Sequence, residues 1–301
     1  MKTLRIGTRG SDLALAQTKI LQDTLSATHS DLVTEIHIIH TQGDLRLDVP
    51  LGSTSPLDKG AFTKELEVAL LRGDIDAAVH SLKDLPTANT AGLTLAAILS
   101  RGPVEDVLIS KWPGGLDALP QGACLATGSA RRKAQALRRR PDLIVEGIRG
   151  NVPTRIRKLA DKKDLAAVIL AAAGLERLDL SNNLCKELGL HTSVLEDFLP
   201  APGQGAIAVQ AREADGETHR LLASVHHPTT AECVQAERFL LEKLGGGCHL
   251  ALGARASKRQ DQIHLKAVWV EGTQYHSAEA TALNAQEVAA LVYSALTRPS
   301  F

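Results

Sequence analysis

The sequence predicts an α/β fold: two similar lobes with a cleft between them, followed by a smaller α+β unit. Three observations carry that expectation. Short apolar runs alternate with amphipathic helical stretches from residue 4 to residue 212. The two halves of this region echo each other. Gly7-Thr8-Arg9-Gly10-Ser11 before one helix is answered by Ala126-Thr127-Gly128-Ser129 before another, and Asp74-Ile75-Asp76-Ala77-Ala78-Val79 by Asp164-Leu165-Ala166-Ala167-Val168. Beyond residue 223 the pattern becomes one long helix and then strict alternation, which marks a half-buried antiparallel strand.

Leu4–Thr8 reads as the first strand. Asp12–Leu25 follows as a helix with Ser11 as N-cap and Leu13, Ala16 and Ile20 expected on its inner face. Ile36–His40 is a second strand. Residues 42–60 have no period and are rich in Gly, Ser, Pro and Asp; a segment this long without structure is either an active-site lid or a disordered insertion. Phe62–Leu71 is helical, with Phe62, Leu66, Ala69 and Leu70 inward. Strands are expected at Asp76–Ser81 and Leu93–Leu99, and the pattern restarts near Ser100–Val104.

In the second half, strands fall at Val107–Ser110 and Cys124–Thr127, a helix at Ala130–Arg139 and a strand at Leu143–Ile148. A helix with Pro153 in its first turn and a strand at Ala166–Ala171 complete it. After Pro200-Ala201-Pro202-Gly203-Gln204-Gly205 comes one more strand, Ala206–Arg212. A helix from Thr230 to Leu244 is stopped by Gly245-Gly246-Gly247. Ile263, Leu265, Ala267 and Trp269 alternate with His264, Lys266 and Val268, and a last helix opens on an Asn284/Glu287 capping box.

Composition narrows the function. Of 301 residues, 44% are hydrophobic but only 3% aromatic, so the cores are aliphatic. A net charge of +0 and scarce aromatics argue against a nucleic-acid binder, despite Arg131-Arg132-Lys133 and Arg138-Arg139-Arg140. The second of these runs ends a helix, where cations are expected anyway, and reads as solvated and structural. None of the four cysteines forms a C-x-x-C pair, the histidines have no metal-ligand spacing, and no phosphate-loop motif is present. With no apolar signal core and no membrane-length apolar run, the expectation is a soluble cytoplasmic protein with free thiols.

The residues with chemical potential gather at strand-to-helix junctions. Arg9 and Ser11 sit at one, Ser129, Arg131 and Arg132 at a second, and Arg149 with Arg155 at a third. A helix N-terminus offers free N–H groups and partial positive charge, and arginine adds a fork suited to carboxylate or phosphate. Taken singly, each is equally an ordinary surface arginine; three together suggest a ligand with several negative groups. Asp84, beside Lys83 at a strand end, is either an ionised carboxylate in the cleft or a turn-capping residue before Pro86. Cys248 follows the triple glycine, where backbone approaches a ligand easily; it is either a reactive thiol or a small buried hydrophobe. Cys124 and Cys233 read as core, and Cys185 has no assigned role.

Several segments together resemble one family, the porphobilinogen deaminases (hydroxymethylbilane synthases). They are Gly7-Thr8-Arg9, Lys64-Glu65-Leu66-Glu67-Val68-Ala69-Leu70, Ala78-Val79-His80-Ser81-Leu82-Lys83-Asp84, Arg149-Gly150-Asn151, Pro202-Gly203-Gln204-Gly205-Ala206 and Gly246-Gly247-Cys248, in the same order and at matching separations. The resemblance implies two lobes like those of periplasmic binding proteins, spanning residues 1–99 with 200–219 and residues 104–198, and a third domain at 223–301 carrying the cofactor cysteine. It implies a monomeric transferase with a dipyrromethane cofactor in thioether linkage to Cys248. Four porphobilinogen molecules would join its free end in turn, each losing ammonia, before hydroxymethylbilane is released. Asp84 would stabilise the cationic azafulvene left when ammonia departs. Arg9, Ser11, Lys83, Ser129, Arg131, Arg132, Arg149 and Arg155 would bind carboxylates, with Arg177 and Gln204 as further candidates. Lys59 and Phe62 match the lid end. Departures from the family pattern fall at Gln42 and at His249-Leu250-Ala251, and the C-terminal helix is expected to be short. A non-enzymatic two-lobed binding protein would have no need of a third domain carrying Cys248.

Overall fold

In the computed structural model, residues 2–41, 63–247 and 250–298 are described. Cys248, Lys59, Phe62, Gln42 and His249 lie outside them, as does the segment read as lid or insertion.

The first lobe begins with strand β1 (Lys2–Thr8), which runs into helix α1 (Asp12–Thr28), and pairs in parallel with β2 (Leu32–Ile38). Ser11 caps α1, its Oγ accepting from the Ala14 N–H at 3.4 Å. The inner face of α1 differs from the expected one. Ala14, Gln17, Thr18, Leu21 and Leu25 are buried, Leu13 lines the cleft, and Ile20 is 37% exposed. Polar Gln17 and Thr18 hid the true stripe; inside, Thr18 Oγ1 donates to the Ala14 carbonyl and Gln17 Nε2 to Ser81 Oγ. Helix α2 (Lys64–Arg72) buries Leu66, Ala69 and Leu70, and β3 (Ala77–Ser81) and β4 (Leu93–Ile98) follow.

The second lobe repeats this plan. It comprises β5 (Asp106–Ser110), β6 (Cys124–Ala126), α3 (Ala130–Arg139), β7 (Ile144–Glu146), α4 (Val152–Asp161) and β8 (Leu165–Ala171). The short helices α5 (Ala172–Arg177) and α6 (Leu184–Glu187) and strand β9 (His191–Leu195) complete it. Cys185 on α6 is 1% exposed and, with Leu184, packs in this lobe's core, while Lys186 and Glu187 on the same turn of helix stay exposed. The chain then returns to the first lobe as β10 (Ile207–Arg212), followed by α7 (Gly216–Ala223).

Strand order exposes the internal repeat. The first sheet runs β2-β1-β3-β10-β4 and the second β7-β6-β8-β5-β9. In each, four strands run in one direction, and the fourth in spatial order is antiparallel to its neighbours on both sides. The echoed segments fall on matching places, β1 into α1 against β6 into α3, and β3 against β8. Both lobes therefore present the C-terminal ends of their parallel strands to the same cleft, the usual ligand side of such sheets.

Two crossing segments join the lobes. Gly102 N–H donates to the Gly205 carbonyl (3.1 Å), and Arg101 Nε to the Gln204 carbonyl (2.9 Å). The backbones pass so closely that a Cβ on Gly205, whose φ is +84°, would stand 2.7 Å from the carbonyl oxygens of Gly102 and Pro103. Only glycine fits there.

The third unit packs α8 (Pro228–Lys243) and α9 (Ala285–Leu296) on the antiparallel sheet β11 (Ala251–Arg259), β12 (Gln262–Glu271) and β13 (Gln274–Ala282). Its aliphatic core includes Leu240, Leu252, Ile263, Leu265, Val288 and Val292. Asn284 Oδ1 accepts from the Glu287 N–H at 2.9 Å, capping α9 as the sequence suggests. The arginines ending α3 are structural but not merely solvated: Arg138 lies 3.7 Å over the Tyr275 ring, Arg139 pairs with Asp117 and Asp197, and Arg140 with Asp142. Among the described residues, no helix is long and apolar enough to cross a membrane.

Candidate active site between the lobes

Strand β3 ends at Ser81, and residues Leu82–Asp84 form one tight helical turn at the cleft. That turn is pinned from behind: Leu82 N–H donates to the Ala206 carbonyl (3.1 Å) and Leu85 N–H to the Leu82 carbonyl (3.2 Å). Leu82 points into the core, so Lys83 and Asp84 stay at the surface of the cleft. Across the gap, Arg132 arrives on the first turn of α3 and Arg155 on the first turns of α4. Arg177 ends α5 and donates to the Gly205 carbonyl at 2.7 Å.

Lys83, Arg132, Arg155 and Arg177 line a cleft whose walls also include Gln17, Ser81 and Val152. A neighbouring pocket shares Leu13, Gln17 and Ser81 with it and adds Arg9, Ser11, His80 and Asp84. The structure thus brings Arg9, Ser11, Lys83, Asp84, Arg132, Arg155 and Arg177 to one continuous opening. Arg149 precedes α4 and acts electrostatically on Arg155, as does Asp84 from the opposite lobe.

Positive charge exceeds negative charge here. Burial, then Arg132 and Arg131, bring Lys83 down to about 8, against the opposing pull of Asp84 and Asp106. Burial chiefly, then Arg132, holds Arg155 below its ordinary value, and burial does the same for Arg177. Arg149 Nη2 is buried without a hydrogen-bond partner. A buried guanidinium nitrogen lacking an acceptor is costly, so the site suits a group that brings several acceptor oxygens.

Three expected binding residues sit elsewhere. Arg131 is buried beneath the cleft, its Nη1 donating to Asp106 Oδ2 (2.6 Å) and to the Leu199 carbonyl (2.7 Å). Gln204 is 1% exposed; its Nε2 donates to the Val104 carbonyl (2.7 Å) and Asp106 Oδ1 (3.0 Å), between the crossing segments. Ser129 caps α3, accepting from the Arg132 N–H. Arg132 is shared: its Nε and Nη2 donate to Asp106 Oδ1 (3.0 and 2.8 Å) while its edge meets the cleft. Burial alone would raise the Asp106 carboxyl, but Arg131 and Arg132 more than offset this and hold it well below the usual range.

Asp106, His80 and Gln17 were missed in the sequence. Asp106 carried one usable signal, an acidic residue opening an otherwise apolar strand. His80 is buried, with Nε2 unpartnered, and burial chiefly lowers it to about 4, so it is neutral at pH 7.

The third unit reaches the same turn. Arg238 on α8 donates from Nη1 to the Leu85 carbonyl (3.0 Å) and from Nη2 to the Pro86 carbonyl (2.7 Å). Gly246, with φ +63°, lies beside Thr87: a Cβ built there would be in ordinary van der Waals contact with Thr87 Oγ1, at 3.5 Å. The described chain on the N-terminal side of Cys248 therefore runs against the segment that follows Asp84.

Comparison with known proteins accords with this geometry. Residues 4–220 match the family described as "Porphobilinogen deaminase, dipyromethane cofactor binding domain", and residues 231–296 match "Porphobilinogen deaminase, C-terminal domain". A porphobilinogen deaminase of Syntrophomonas wolfei is 44% identical over 89% of this chain and 85% of its own. That of Shouchella clausii is 46% identical over 87% of this chain and 82% of its own. Among solved structures, the methionine binding protein MetQ overlaps 76% of this chain and 92% of its own with a TM-score of 0.44 and 14% identity, too loose a likeness to carry an argument.

Proposed function

The chain belongs to the porphobilinogen deaminase family, and from that membership we propose that it is a hydroxymethylbilane synthase. It deaminates four porphobilinogen molecules and joins them in sequence to a covalent dipyrromethane primer, releasing hydroxymethylbilane and ammonia for tetrapyrrole (haem) biosynthesis. The observation that supports this best is a cleft with surplus arginine and lysine charge, one carboxylate at its mouth, and the Gly245–Gly247 loop beside that carboxylate's turn.

The cofactor, when bound through Cys248, would supply the free pyrrole carbon to which the first unit is joined, each later unit joining the one before it. The protein's own groups do the rest. Each substrate carries an acetate and a propionate, and Lys83, Arg132, Arg149, Arg155 and Arg177 offer the matching cations, with Arg9 and Ser11 serving the neighbouring pocket. Asp84 accepts pyrrole N–H groups and stabilises the positive charge that grows as ammonia leaves the substrate. Arg131, Gln204 and Ser129 act at one remove, by fixing Arg132 and the crossing segments. By family matching, Lys59 and Phe62 correspond to the lid end. The protein acts as a cytoplasmic monomer, without nucleic-acid or membrane partners.

Intact-protein mass spectrometry tests the proposal. The wild-type chain should carry extra covalent mass equal to two pyrrole units, and Cys248→Ser should lack it. An unmodified yet active wild type refutes the assignment.

A further inference from the structure

Arg238 is not among the residues that the binding chemistry requires, yet it occupies a telling place. It lies on α8, one turn and a half before that helix ends at Lys243 and gives way to the triple-glycine loop. Its two terminal nitrogens end on consecutive carbonyls, Leu85 and Pro86, at 3.0 and 2.7 Å. Those carbonyls belong to the residues directly after Lys83 and Asp84. Pro86 has no N–H, so this stretch of backbone has one fewer donor with which to hold itself. The guanidinium is largely surrounded by protein, and burial chiefly lowers its pKa, with Glu242 opposing. No salt bridge to a carboxylate accompanies it among the described residues; its hydrogen bonds go to the turn. Gly246 also lies beside Thr87.

We propose that Arg238 is a positioning residue for the reaction, coupling the third unit to the turn that carries Asp84 and so fixing where that carboxylate stands. This inference rests on the reading of Asp84 as the catalytic carboxylate. The coupling is mechanical: a planar fork donates to two neighbouring carbonyls and fixes the turn's orientation as well as its distance. A lysine has the charge but not the fork, so it restrains one carbonyl at a time. Small displacements of a reacting group cost rate steeply without changing ground-state binding.

The test uses full-length protein carrying Arg238→Gln, with Arg238→Lys and Asp84→Ala alongside. Arg238→Gln should lower kcat by about tenfold to a hundredfold with KM nearly unchanged. Arg238→Lys should recover part of the loss and also keeps the test open if the glutamine variant does not fold. A readout independent of turnover is amide hydrogen exchange. Residues 82–87 should exchange faster in Arg238→Gln, in the wild-type background and in Cys248→Ser, while strands β11–β13 remain protected. Unchanged kcat or unchanged exchange at 82–87 overturns the proposal, as does a rate loss matched by loosening of the whole third unit. Near-normal turnover in Asp84→Ala instead removes the reading on which the proposal rests, and the exchange result separates that failure from a failure of the coupling.

Discussion

The carboxylate of Asp106 is the part of this molecule most exposed to a single change. It is fully buried and accepts from Arg131 Nη1, Arg132 Nε, Arg132 Nη2 and Gln204 Nε2, at 2.6 to 3.0 Å. An ionised carboxylate has about four acceptor sites; here Oδ1 accepts three of the four bonds and Oδ2 one. Asp106→Asn keeps the shape, halves the acceptors and turns an amide donor towards guanidinium donors. It also leaves Arg131 and Arg132 without their counter-charge. Removing one partner of a buried ion pair costs about 3–5 kcal/mol. At about 2–4 °C per kcal/mol for a cooperative unit of 150–250 residues, Tm should fall by roughly 6–20 °C. The assay is calorimetry of the full chain at pH 7, with a urea titration as a check. The pH dependence has a fixed sign. Because the folded pKa lies below the ordinary 3.8, the Asp106 contribution is complete above that value and fades as pH falls through the folded pKa. The variant should lack this part of the acid slope. A loss under about 1 kcal/mol, the range of an exposed pair, would refute the reasoning.

Gly205→Ala combines φ +84° with a Cβ 2.7 Å from two carbonyl oxygens, so it should destabilise by about 1–3 kcal/mol or more, read as a lower urea midpoint; an unchanged midpoint would mean the crossing segments can separate freely. Lys83 gives a prediction of the same pH sense in an alkaline window. Its folded pKa of about 8 lies below the ordinary 10.5, so between these values the unfolded chain holds more protons. Stability of the cofactor-free Cys248→Ser chain should therefore rise from pH 8 towards 10.5. Adding Lys83→Met should remove that rise, and a rise that persists would assign it to another group.

The sequence carried most of the architecture because strand and helix periods are local. The Ser11 and Asn284 caps, the alternation in β12 and the echo of β1–α1 in β6–α3 each need only a short window of chain. The cleft was legible in part for the same reason, since Arg9, Lys83, Asp84, Arg132 and Arg155 all lie at element ends. What failed was long-range. Nothing near Arg131 and Arg132 announces Asp106, which lies 25 and 26 residues away, so the buried carboxylate that holds both guanidiniums was not legible in the sequence. Gln17 and Thr18 concealed the inner face of α1 because their polar groups are satisfied by Ser81 and by the helix's own carbonyl. Cys185 was given no role because its neighbours in sequence are polar, whereas its neighbours in space are aliphatic.

The return of β10 into the first sheet has a consequence during synthesis. Until residues 207–212 have emerged, β3 and β4 lack the strand that pairs with both of them. The second lobe's strands all lie between residues 106 and 195 and can pair before that moment. Chains usually fold from the N-terminus as they are made; here the earliest residues to leave the ribosome wait with an open seam, and the middle of the polypeptide is complete first.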